Sequence, residues 1–224
     1  GEVQEWFNWQ SWKDCVPATV PRVRISPSPP TVGIVLMKES NQPENATELS
    51  NRTNLLDYNR LVLSKEKLER GDKDLHTTYE RLLYIAEQKI QTPLVSVMDK
   101  EYMPPSGNKH DYTSLAKYYW PNPDTTNGLP YISRDGEVNP ETKKYDVTAL
   151  DTMTKAVRDL SFAYFYSQNA RYASHASNLL RHWFLELASR MNPNFKYAQF
   201  KPGLDVVDGH GIIESHRFRW LPDN

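Results

Sequence analysis

Residues 150–187 read LDTMTKAVRDLSFAYFYSQNARYASHASNLLRHWFLEL. Apolar side chains recur here at spacings of three and four: first Leu150, Met153, Val157, Leu160 and Tyr164, then Tyr172, Ala176, Leu179, Leu180, Trp183 and Leu187. A period of 3.6 residues places each set on one stripe, so the spacing predicts two amphipathic helices. Ser167-Gln168-Asn169-Ala170 is a short turn between them, which makes the pair an antiparallel hairpin. The aromatic and Met positions of both stripes are core material. His175 and His182 lie seven apart on one side of the second helix and are expected at its boundary rather than on a metal.

The same unit occurs upstream. Leu55, Leu61, Val62 and Leu68 predict a helix closed near Gly71, and Leu75, Tyr79, Leu82, Leu83, Ala86 and Ile90 predict a second. Asp74 is the expected cap of that second helix. Strand signals are sparse, so the sequence reads as all-α, built of antiparallel helical hairpins.

Between the two hairpins lies a stretch of another kind. Residues 104–140 read PPSGNKHDYTSLAKYYWPNPDTTNGLPYISRDGEVNP, with Pro, Gly and Asn punctuation, aromatics at Tyr112, Tyr118, Tyr119, Trp120 and Tyr131, and charges at Lys109, Asp111 and Arg134 beside His110. Long loops inside compact domains carry function or are disordered, and disorder fits poorly with so many aromatics. An ordered loop that presents rings beside cations suits an anionic sugar chain.

Composition narrows the classes. The chain has 224 residues, a formal net charge of -1, 38% hydrophobic and 25% charged residues. It is long enough for a substantial core, and its near-neutral balance argues against a nucleic-acid or anionic-membrane partner. No run of about 18 apolar residues occurs, so no membrane span is expected. Cys15 is the lone cysteine, which precludes an internal disulfide. No cofactor is expected. Residues 1–53 differ from the rest: Trp6, Trp9 and Trp12 precede VPATVPRVRISPSPP, a Pro-rich extension read as a linker or a strap. Asn45-Ala46-Thr47 and Asn51-Arg52-Thr53 are glycosylation sequons, which give modest support to a secreted protein.

Lys109-His110-Asp111-Tyr112, Tyr119-Trp120-Pro121, Gly128-Leu129-Pro130-Tyr131 and Arg134-Asp135-Gly136-Glu137-Val138-Asn139-Pro140 resemble the signature loop of the alginate-lyase-domain polysaccharide lyases. Ser96-Val97-Met98-Asp99-Lys100, Pro104-Pro105-Ser106-Gly107, Arg190-Met191-Asn192-Pro193-Asn194 and Tyr197-Ala198-Gln199 fit the same family. The resemblance covers roughly residues 54–214. It implies a partial (α/α) toroid of helical hairpins, a secreted or periplasmic setting, and action on uronic-acid polysaccharides such as alginate or glucuronan by β-elimination. That chemistry needs a cation to neutralise the uronate carboxylate, a base for the C5 proton, and an acid for the departing glycosidic oxygen. Lys109, His110, Tyr112, Tyr119, Trp120 and Arg134 are the implied substrate-binding residues.

The sequence also departs from the family. An Asn-Asn-His-Gly-Thr-Trp-Tyr type of motif, which carries the catalytic groups there, does not occur in this chain. The catalytic residues are therefore unassigned, with His210 and His216 as weak candidates in DGHGIIESHR. His210, Glu214 and His216 fit no standard metal spacing. A helical hairpin takes roughly 35–45 residues, so residues 54–224 without the loop hold about two to three. A toroid of five or more hairpins needs about twice that length. The expectation is the N-terminal part of such a lyase, without lyase activity of its own; the alternative is a non-catalytic carbohydrate-binding protein using the same loop.

Overall fold

The computed structural model describes residues 55–204 and 211–223. The Pro-rich extension with its three Trp residues, both sequons and His210 lie outside the described residues.

Four long helices form as the periodicity predicts. Helix α1, Tyr58–Glu69, starts where the Asp57 carboxylate accepts from the Arg60 N–H and stops before Gly71, whose φ of +89° is left-handed. Helix α2, Lys73–Lys89, is capped by Asp72, which accepts from the N–H groups of Asp74 and Leu75. Asp74 is not the cap; it occupies the first turn, where its charge complements the helix dipole. Helix α3, Asp146–Ser167, ends at Gln168 in a left-handed conformation with φ of 58°, and Asn169 caps α4, Ala170–Phe184.

Helix α4 is shorter than the apolar stripe suggested. Leu187 falls beyond its end and is 68% exposed. The backbone doubles back, the Met191 N–H donates to the Trp183 carbonyl at 2.9 Å, and Met191 becomes fully buried. Leu55, assigned to the first stripe, precedes α1 and is also exposed.

Helix α3 is the centre of the packing. It contacts α2, α4, the strand β1 (Thr113–Leu115) and a C-terminal 3-10 helix, His216–Asp223. Its Leu150, Met153, Val157 and Leu160 are fully buried, and burial of such a side chain stabilises by about 1.5–3 kcal/mol each. Ala156 and Ala163 are buried too, which lets neighbouring elements approach closely. Helix α2 contributes Ala86, Leu82, Leu83 and Ile90 to the same core, and α4 contributes Tyr172, Ala176, Leu179 and Trp183. Helix α1 buries no residue fully. No described helix is long and apolar enough to cross a membrane.

The long loop is more structured than a purely helical reading allows. It contains 3-10 turns at Val97–Asp99 and Pro140–Lys144 on its flanks, and three short strands within it. Strand β2, Tyr119–Trp120, pairs antiparallel with β3, Ile132–Ser133. Strand β1 pairs in parallel with β4, Tyr197–Phe200, across more than eighty residues of chain. The register runs Thr113 with Tyr197 and Leu115 with Phe200, so β4 carries an extra residue. Gln199 takes the left-handed conformation there, φ 54°. A short helix α5, Gly211–Ser215, then leads into the last 3-10 helix.

Candidate functional site

The β2–β3 ribbon is held from beneath by one buried residue. Asn139, 1% exposed, donates from its side chain to the Tyr119 carbonyl at 2.8 Å and from its backbone to the Lys117 carbonyl at 2.7 Å. The other end is pinned by the Tyr131 N–H on the Pro202 carbonyl at 2.9 Å, and Gly203 packs so closely that a Cβ there would lie 2.8 Å from Pro130 Cα. Tyr131 and Tyr102 both donate to Glu141, at 3.4 and 3.1 Å. Burial together with Glu141 raises both phenols above their ordinary value.

This frame arranges cations over rings. The Arg134 guanidinium lies 5.2 Å from the Trp120 ring centre, and Lys201 and Lys117 lie 5.1 and 4.7 Å from Tyr119 and Tyr118. Lys196 sits 5.4 Å from Tyr197 in the neighbouring strand. The Trp120 indole donates to the Glu137 carbonyl at 2.9 Å, and Arg134 meets the Glu137 carboxylate at 3.7 Å. An aromatic face holds a cation in place through its quadrupole without supplying a counter-charge, although Arg134 also has Glu137 beside it. Such cations remain available to an incoming carboxylate.

The second part of the site lies around His110. Its Nδ1 meets the Arg190 carbonyl at 2.7 Å; a carbonyl only accepts, so Nδ1 carries a proton and donates it there. Next to it, Asp111 accepts from Ser106 at 2.7 Å, Asn192 at 2.8 Å and Asn194 at 3.4 Å. Burial alone would raise its carboxyl, but these hydrogen bonds outweigh it and hold the group below the ordinary value. Lys109 offers its carbonyl to the buried Lys100 ammonium at 2.6 Å. Lys100 also donates to the Val97 carbonyl at 2.7 Å and lies 2.9 Å from Asp146 at the start of α3. Burial lowers Lys100 and pushes Asp146 up to about 7, opposed in each case by the partner's charge. Asp146 Oδ1 is buried without a hydrogen-bond partner among the described residues.

Beneath both parts sits Glu214, fully buried. It accepts from the Tyr112 and Ser114 hydroxyls, each at 3.0 Å, and from the side chains of Gln199 and Arg217. Arg217 reaches on to Asp151 of α3 at 2.6 Å. One carboxylate therefore ties β1, β4, α5 and the last 3-10 helix together. Burial, followed by the Glu214 charge, holds the Tyr112 phenol well above its ordinary value.

Of the residues expected to bind substrate, Tyr119, Trp120 and Arg134 come together on the ribbon, and Lys109 and His110 lie half-buried in the adjoining turn. Tyr112 is corrected: it is 0% exposed, packs edge-on to Phe195 and donates to Glu214, so it anchors the sheet and cannot face a polymer. His216 is exposed, bonds the Ile213 carbonyl through Nδ1, and lines a cleft against α3. Among the described residues no three His, Cys, Asp or Glu side chains gather as a metal site. Lys201 and Lys117 emerge only from the fold, as does the role of Glu214 as a buried anchor. The Tyr-Ala-Gln motif signalled that Gln199 mattered, but nothing local signalled its partners.

The family model for alginate lyase matches residues 96–222, more than half of the chain, and the chain belongs to that family. The match spans the ribbon, the His110 turn and the Glu214 anchor. The fold is similar to the solved structure of an alginate lyase from Bacteroides ovatus, with 37% identity and a TM-score of 0.69. That similarity covers 74% of this chain and 44% of the other, so the chain spans less than half the length of this solved relative. No curated protein matches the chain.

Proposed function

We propose that the ribbon and the His110 turn hold an anionic uronic-acid polysaccharide, alginate or glucuronan, as the substrate-binding portion of a polysaccharide lyase that works by β-elimination. The observation that carries this reading is the set of ring-mounted cations: Arg134 on Trp120, Lys201 on Tyr119 and Lys117 on Tyr118. A polyuronate offers carboxylates and apolar sugar faces, and this surface offers cations mounted on rings. Neutralising the carboxylate is also what makes the C5 proton removable. The two helical hairpins are members of an (α/α) toroid in this reading. In this reading the protein meets its polymeric substrate outside the cell or in the periplasm.

The sequence lacks the Asn-His and Tyr motif that performs proton transfer in the family, so this chain binds and does not cleave. Isothermal titration with saturated uronate oligosaccharides tests the first half. Arg134→Gln and Trp120→Ala should each weaken binding by about ten-fold, roughly 1.4 kcal/mol. Equal affinity in both variants would sink the assignment of the ribbon. Ultraviolet absorbance of the unsaturated product tests the second half, and sustained turnover by the purified chain would overturn it. Binding without cleavage in every uronate tested is also what a dedicated carbohydrate-binding protein would show.

A further inference from the structure

Lys100 and Asp146 form an ion pair at 2.9 Å, and neither side chain exposes any surface. An ammonium has three N–H donors, and all are used here: on the Val97 carbonyl at 2.7 Å, the Lys109 carbonyl at 2.6 Å and Asp146 Oδ2. The same Oδ2 accepts from the Thr113 N–H at 2.8 Å. The pair therefore grips the chain immediately before His110 and again at Thr113.

A buried ion pair adds little to stability beyond what apolar side chains of the same volume would supply, because desolvation offsets its attraction. What it does supply is direction, since each buried donor must meet its acceptor or be stranded away from water. Between the two grips, His110 donates through Nδ1 to the Arg190 carbonyl at 2.7 Å. Its own carbonyl accepts from the Asn192 N–H at 2.8 Å. Both bonds close only when the backbone of residues 109–113 lies at the right distance from residues 190–192. Lys100 and Asp146 fix that backbone from the buried side.

We propose that the Lys100–Asp146 pair is a positioning device that aims the His110 ring, and through it sets the affinity of the turn for a uronate. The second half rests on the reading that the His110 turn takes the sugar. The pair itself is buried and does not touch the ligand.

The test is long-range proton–nitrogen NMR of the histidine rings in the isotope-labelled chain, at about pH 8, where Asp146 is ionised. Lys100→Met keeps the aliphatic stem and removes all three donors. The His110 ring signals, assigned by their absence in His110→Ala, should move toward those of free imidazole. The ring of His175 meets the Thr92 carbonyl at 2.9 Å from α4, and its signals should stay in place, which separates positioning from a general loosening of the fold. Where Lys100→Met does not fold, Asp146→Asn carries the same test. Burial disfavours the ammonium once its counter-charge is gone, and a neutral amine has two donors for three acceptors.

Calorimetry with uronate oligosaccharides gives the second readout. The same substitution should weaken binding by about ten-fold in the parent and in Trp120→Ala, but by less than about two-fold in His110→Ala. His110 signals that stay in place in the folded variant, or an equal loss of affinity in the His110→Ala background, overturn the proposal. A parent that binds no uronate overturns the function assigned to the turn, while displaced His110 signals in the variant still support the positioning.

Discussion

Replacement of Glu214 by Ala is the perturbation that most directly probes how this site is held. The carboxylate is fully buried and receives four side-chain donors, from Tyr112, Ser114, Gln199 and Arg217. Tyr112 and Ser114 are buried as well, so their hydroxyls lose their acceptor without gaining water. Each such orphaned donor costs about 1–3 kcal/mol. Gln199 and Arg217 are half-buried, and Arg217 retains Asp151, so their loss is smaller. The sum is about 3–5 kcal/mol, in the range found when one partner of a buried charged network is removed. For a urea m-value of about 2 kcal/mol/M, the unfolding midpoint should fall by about 2 M. Glu214→Gln keeps the volume but replaces an acceptor oxygen by a donor, and should lose about 2–3 kcal/mol. Arg70→Ala is the control: its pair with Glu66 has side-chain exposures of 77% and 46%, and its removal should cost less than about 0.5 kcal/mol. A Glu214→Ala loss below about 1 kcal/mol would refute the idea that this carboxylate ties the sheet to the C-terminal elements.

The remaining predictions concern single positions. Asp146 is pushed up to about 7 by burial, against its unperturbed 3.8, so between those values the folded protein binds a proton that the unfolded chain has released. Its contribution to stability is full below about 3.8 and is lost as pH rises through about 7, at up to ~1.4 kcal/mol per pH unit; urea curves of Asp146→Asn against the parent should show this slope removed. Gln168→Gly should stabilise by about 0.5–1 kcal/mol in thermal melts, because the residue ends α3 at a φ of 58° with an exposed side chain; a lower melting temperature would contradict the cap argument. Gly203→Ala should cost about 1–3 kcal/mol, since φ is +77° and the new Cβ meets backbone at Pro130. The loss should be accompanied by weaker oligosaccharide binding, and an unperturbed melt would show that the contact yields.

Local pattern carried the helices. Leu150 to Tyr164 and Tyr172 to Trp183 recur at the period of a helix, and short-range chemistry at Asp57, Asp72 and Asn169 closes the ends. Periodicity could not say that the last helix stops at Phe184, because Leu187 continues the stripe. Met191, folding back onto Trp183, takes the core position instead, and only packing in three dimensions makes that choice. The ribbon was legible as residue types: Trp120, Tyr119 and Arg134 are the kinds of side chain a uronate site needs. Tyr112 belongs to the same motif and looks the same in sequence, yet it points inward to Glu214. Burial separates the two roles: Tyr112 is fully buried beside β1, whereas Tyr119 and Trp120 are half-buried on β2.

The sequence by itself determined which segments are helical, where they turn, and that the stretch at residues 104–140 is a dense aromatic and cationic surface of the alginate lyase family. The tertiary structure decided which of those residues face outward, which cations sit on which rings, and that a single carboxylate at position 214 ties Tyr112 and Ser114 to Gln199 and Arg217. The reason is separation along the chain. Helix periodicity and capping act over a few residues, whereas Tyr112 meets Glu214, and Ser114 meets Gln199, across distances in sequence at which no local pattern survives.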